Sequence, residues 1–283
     1  MARDILITAA QLAEVRVGEP IPGGGPLRVL DVRWRLDRPD GRPDYLAGHI
    51  PSAVYVDLDT QLARHGTPQE GRHPLPPVEQ LQRDARAWGF NPGDTVVVYD
   101  DLKNLSAARA WWLLRYAGVD DVRLLDGALT AWRAAGLPLE TGEPPSPAPG
   151  SVTLRYGALP VLTIDEAAGF ANAGVLLDAR AGERYRGEVE PIDPRAGHIP
   201  GALSAPTTEN VDADGRFLPP ERLRARFAAL GIEPGASVGT YCGSGVTAAH
   251  EVVALALAGF DAALFPGSWS QWANHPELPV AVG

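Results

Sequence analysis

Apolar positions along the chain fall into short β-branched runs separated by stretches with helical spacing. Residues 27–31 (LRVLD), 53–56, 95–99 (TVVVY) and 122–125 read as strands. A second set follows at 175–178 (VLLD), 202–204, 237–241 and 262–265. Between them, 78–88, 105–116, 221–230 and 246–259 carry helical patterns. The opening stretch ILITAAQLAEV reads as a short strand followed by a helix. Strands alternating with helices predict an α/β fold with parallel sheets covered on both faces.

The two sets are copies. The segment AGHIP at 47–51 recurs at 196–200, and LDVR at 30–33 recurs as LDAR at 177–180. VVVYD at 96–100 aligns with VGTYC at 238–242, and LDG at 125–127 before Trp132 aligns with FPG at 265–267 before Trp272. Four landmarks in one order imply a tandem duplication. The first copy is longer between its histidine and tyrosine landmarks, which puts an insert around 66–77. Residues 142–150 read GEPPSPAPG, an extended connector. The expected division is therefore an N-terminal domain at 1–142, a Pro-rich linker at 143–160 and a C-terminal domain at 161–283.

Composition narrows the function. A length of 283 residues accommodates two ordinary domains. No apolar run approaches the ~20 residues that span a bilayer, and the first residues lack a signal-peptide pattern, so a cytoplasmic protein is expected. The single cysteine excludes an intrachain disulfide and a cysteine-cluster metal site, and no metal or cofactor is expected. A formal net charge of -10 argues against a nucleic-acid partner.

A lone cysteine is by default a small buried hydrophobe. Cys242 has a more telling setting, because it ends a strand and opens the loop Cys242-Gly243-Ser244-Gly245-Val246-Thr247 before a helix. Ligands of parallel sheets gather at the carboxyl ends of strands. Two glycines free the backbone to turn its amides inward, and such amides at a helix N-terminus form an anion nest. That setting favours a thiolate. A cysteine phosphatase would need an arginine six residues after its nucleophile, where this chain has Ala248. Without a guanidinium partner for a dianion, the loop suits a singly charged persulfide.

The twin halves, the two AGHIP segments, Asp178-Ala179-Arg180 and the second-half thiol resemble the two-domain rhodaneses over essentially the whole chain. The Cys242 loop resembles the mercaptopyruvate branch. Asp100 stands where the cysteine would be, so the first half resembles the family's inactive domain. The resemblance implies a ping-pong sulfurtransferase. Cys242 would take sulfur from 3-mercaptopyruvate and pass it to cyanide or a thiol, such as a thioredoxin-like protein. The alternatives are a thiosulfate:cyanide sulfurtransferase and a non-catalytic persulfide carrier.

Carried over residue by residue, the resemblance makes Gly243, Ser244, Gly245, Val246 and Thr247 the amide cradle, with Ser244 also polarising substrate or relaying a proton. It assigns the substrate carboxylate to Arg184, with Arg186 a second candidate. The branch often has another arginine in a Glu-Pro-Arg stretch; here Glu190-Pro191-Ile192 lacks it, and Arg195 does not match in register. His49 is expected to face the cleft and pair with Ser244, oriented by Asp37 or Asp40. For His198 a structural role is favoured. Arg33 and Arg180, duplicated, are open between salt bridging and substrate contact. The insert at 71–76 is either a surface loop or an arm over the cleft.

Overall fold

The computed structural model describes residues 4–283; the first three positions of the expected N-terminal domain lie outside them. Five parallel strands form the first sheet: β1 (Leu6–Ile7), β2 (Leu27–Asp31), β3 (Val54–Tyr55), β4 (Thr95–Tyr99) and β5 (Val122–Leu125), in the order β1-β5-β4-β2-β3. Four more form the second: β6 (Val175–Asp178), β7 (Leu203–Ser204), β8 (Val238–Tyr241) and β9 (Ala262–Leu264), in the order β7-β6-β8-β9. Read from its other edge, the second sheet repeats β5-β4-β2-β3. Even the register is shared, since Asp31 lies opposite Tyr99 and Asp178 opposite Tyr241.

Every residue of the central strands β4 and β8 is buried, as the near-continuous apolar runs require. The main helices begin and end within about two residues of the positions expected from periodicity. Short helices at Arg42–Ala47, Gly182–Tyr185 and Ser268–Trp272 were not foreseen, because they are too brief to show a period.

The duplicated polar residues brace each sheet identically. Arg33 donates to the Asp31 carboxylate and to Gly48 O at 2.6 Å; Arg180 does the same with Asp178 and Gly197 O, also at 2.6 Å. Both aspartates are fully buried, so removing one arginine would strand a buried carboxylate at a cost of about 3–5 kcal/mol. The open question over Arg33 and Arg180 thus resolves toward salt bridging.

The two AGHIP histidines are also equivalent braces. His49 stacks on Tyr45 with ring centroids 4.0 Å apart and sets Nδ1 2.9 Å from Tyr45 O. His198 stacks on Tyr185 at 3.8 Å, with Nδ1 2.8 Å from Tyr185 O.

By contacts the chain forms two compact units whose membership does not follow chain order. One comprises the described residues up to Ala63, with Pro76–Ala158 and Ala213–Arg216. The other comprises Arg64–Leu75, Leu159–Asp212 and Phe217–Gly283. Most of the Pro-rich connector thus packs with the first unit, where Gly150 N donates to Arg86 O and Val152 N to Phe90 O. The insert 64–75 packs with the second, although it belongs to the first half of the sequence.

Within the second unit this insert is seated on the helix Ser268–Trp272. The Arg72 amide donates to Ser270 Oγ at 3.1 Å, and Gln69 O lies 3.1 Å from His275 Nε2. Gly71 makes the close approach possible: its φ is +85°, and a Cβ there would lie 2.8 Å from Gly267 O.

Candidate active site

Cys242 follows β8 directly and is 1% exposed. The segment after β9 holds the outer edge of its loop. Cys242 N–H donates to Ser268 Oγ at 3.1 Å, while Cys242 O and Gly243 O accept from the amides of Trp269 and Ser270 at 2.9 and 2.8 Å. Gly245 turns the loop with φ +74°, and a Cβ there would lie 2.3 Å from Pro266 O, so only glycine fits. The next helix starts at Thr247. Among the described residues, nothing accepts from the amides of Gly243, Ser244, Val246 or Thr247.

The first unit shows what such a loop binds. Asp100, in the place of Cys242, is fully buried. Its Oδ1 accepts from the amides of Leu102 and Asn104 at 2.7 and 2.8 Å, and its Oδ2 from Ser106 and Ala107 at 2.8 and 3.0 Å. Burial pushes this carboxyl up to about 6 from an ordinary 3.8, and the four amides restrain the rise. Leu129 N closes on Asp100 O at 2.9 Å, just as Trp269 N closes on Cys242 O. One copy of the architecture is therefore an occupied anion cradle, and the other presents a thiol with amides to spare.

Ser244 has a partner that the sequence reading did not name. Ser244 Oγ lies 2.8 Å from His73 Nδ1, and both side chains are buried. His49, the expected partner, has its ring held by Tyr45. Nor does Asp40 orient it, since Asp40 caps the amide of Arg42 at 3.0 Å. A residue present in both copies was serving what both copies share. The one sequence signal for His73, not used in that reading, is that it lies in the unduplicated insert and the thiol is unduplicated too.

Arg184, expected to hold a substrate carboxylate, lies beside the Cys242 loop. A Cβ on Gly243 would lie 3.4 Å from its Nη1. Its Nη2 is anchored to Glu190 at 2.7 and 2.9 Å. Burial acts to raise the Glu190 carboxyl, but Arg184 and the amides of Asp193 and Ile192 outweigh it and hold the group below its usual range. Arg186 is not part of this cluster; it is half-exposed and paired with Glu188. Arg195 is equally spent, on the carbonyls of Ala273, Leu278, Trp272 and His275.

A model of the rhodanese-like domain matches twice, at residues 17–135 and 163–275. The chain belongs to the rhodanese family. A Mycobacterium tuberculosis protein, provisionally named a thiosulfate sulfurtransferase, is 49% identical over 282 residues, covering 99% of this chain and 97% of its own. A Pseudomonas aeruginosa protein, provisionally named a 3-mercaptopyruvate sulfurtransferase, is 50% identical over 98% of each chain. The crystal structure of SseA from Escherichia coli, described as a 3-mercaptopyruvate sulfotransferase with the rhodanese fold, superposes with a TM-score of 0.81 at 34% identity, covering 94% of this chain and 99% of that one. No helix among the described residues of this rhodanese is long and apolar enough to cross a membrane.

Proposed function

We propose that this rhodanese moves the sulfur of 3-mercaptopyruvate onto Cys242 as a persulfide and delivers it to a thiol or to cyanide. The observation that carries the proposal is the Cys242 loop, a thiol with unpartnered amides in the position where the sister loop holds a carboxylate on four amides. Family membership and the relatives' names support it.

In the first step the Cys242 thiolate attacks the donor's sulfur. An S–S bond forms, the donor's C–S bond breaks, and its electron pair leaves on the enolate of pyruvate, which takes a proton at carbon. Gly243, Ser244, Gly245, Val246 and Thr247 supply the cradle that receives the persulfide charge. Arg184 holds the donor carboxylate through a charge-assisted hydrogen bond. Ser244 and His73 form the proton path between donor and imidazole. In the second step an acceptor thiolate attacks the outer sulfur, and Cys242 leaves as thiolate. Splitting the transfer in two gives ping-pong kinetics. A thioredoxin-like dithiol is the acceptor class this chemistry favours.

Thiosulfate remains a second reading, favoured by the name of the M. tuberculosis relative and by Ile192 in place of an arginine. Intact-mass analysis after incubation with 3-mercaptopyruvate tests the proposal. The expected product carries one added sulfur on Cys242, removable by cyanide. Loading from thiosulfate alone would overturn the donor assignment, and loading without turnover would leave a carrier.

A further inference from the structure

Of the arginines between 180 and 195, only Arg184 has a donor directed at the Cys242 loop. A second guanidinium reaches the same place from the insert. A Cβ on Gly243 would lie 3.0 Å from Arg72 Nη2 and 3.4 Å from Arg184 Nη1, so both groups approach this residue.

Each arginine is fixed at its other end. Arg72 Nη1 pairs with Asp193, and Arg184 Nη2 pairs with Glu190; both carboxylates are nearly fully buried. The inward ends are unused, because Arg72 Nη2 and Arg184 Nη1 donate to no described residue. Buried atoms beside them lack a hydrogen bond as well: Arg72 Nε, Arg184 Nε and Asp193 Oδ2, the last having only an ion pair to Arg184 Nη2 at 3.6 Å. Native sites rarely leave neighbouring buried polar atoms without hydrogen bonds. The two positive charges are balanced by Glu190 and Asp193, so an anion arriving here meets oriented donors rather than a large net charge.

We propose that Arg72 is a specificity-determining residue that, with Arg184, clamps the carboxylate and adjacent ketone oxygen of a 2-oxo acid over Gly243. This rests on the sulfurtransferase reading and names how its donor is held. A 2-oxo acid offers acceptor oxygens on neighbouring carbons, matching two donors that approach the same point over one glycine. The buried carboxylates hold both forks in place before substrate arrives, which lowers the ordering cost of binding. The insert therefore brings a substrate contact to the thiol, beside the imidazole of His73.

The test uses the full chain with R72A, R72K and R72A/D193N, the last removing the buried partner with the arginine so that no unpaired carboxylate remains. Pyruvate affinity is measured by calorimetry, and steady-state constants are measured with 3-mercaptopyruvate. R72A and the double variant are expected to weaken pyruvate binding and raise KM at least about tenfold, the scale of one charge-assisted hydrogen bond. kcat should change less than KM, R72K should recover part of the loss, and added guanidinium should restore R72A. A structural role alone would lower Tm without moving pyruvate affinity. Pyruvate affinity and KM within twofold of wild type in the folded variants would overturn the clamp while leaving the donor assignment intact. If wild type loads no sulfur from 3-mercaptopyruvate yet binds pyruvate through Arg72, the donor assignment falls and the clamp stands.

Discussion

Removing the imidazole of His73 is the sharpest test of the site. His73 Nδ1 and Ser244 Oγ are 2.8 Å apart and both buried, so neither is served by bulk water. A proton path of this kind contributes about 10²–10⁴ in rate, or about 3–5 kcal/mol of barrier. If the two act as one unit, H73A, S244A and the double variant lose the same factor, because removing either member breaks the path. The assay is kcat/KM for 3-mercaptopyruvate with cyanide as acceptor, run as a double-mutant cycle. H49A is the control. It removes a ring stacked at 4.0 Å and a buried hydrogen bond, and should cost about 2–4 kcal/mol of stability while leaving kcat within about threefold. Strictly additive losses in the double variant, or a folded H49A that is inactive beside an active H73A, would refute the assignment.

Three further outcomes follow from the geometry. G245A places a methyl 2.3 Å from Pro266 O at a φ of +74°, so sulfur transfer should fall at least tenfold, roughly, with a stability loss of about 1–3 kcal/mol seen by thermal melting. Asp100 is raised in the folded chain, so its proton is kept longer there than in the unfolded chain. Its contribution to stability is present below the ordinary value of 3.8 and is lost as pH rises through about 6. Urea titrations across that range should show wild type losing about 3 kcal/mol relative to D100N. R33M strands Asp31, whose carboxyl burial already pushes up, and should cost about 3–5 kcal/mol by denaturant unfolding, with R33M/D31L regaining much of it.

The sheets were legible because their strands are buried on both faces and therefore read as unbroken apolar runs, most plainly at β4 and β8. The Cys242 loop was legible because its chemistry is local: strand, thiol, two glycines and helix lie in one stretch of chain. The histidine was not. The contact between His73 and Ser244 joins segments 171 positions apart and leaves no periodic trace. His49 was expected in that place, and its repetition as His198 matches the equivalent packing of the two rings on Tyr45 and Tyr185. Arg72 escaped for the same reason, since nothing in GRHPLP indicates which surface receives it.

The seating of residues 64–75 has a consequence for any attempt to dissect the molecule. A fragment cut at the connector would keep the nucleophile, its loop and Arg184, yet leave the imidazole and the second guanidinium behind on the discarded piece. The two halves are similar in sequence, but residues 64–75 of the first belong to the compact unit that carries the thiol, so a cut in the middle of the chain removes part of that unit.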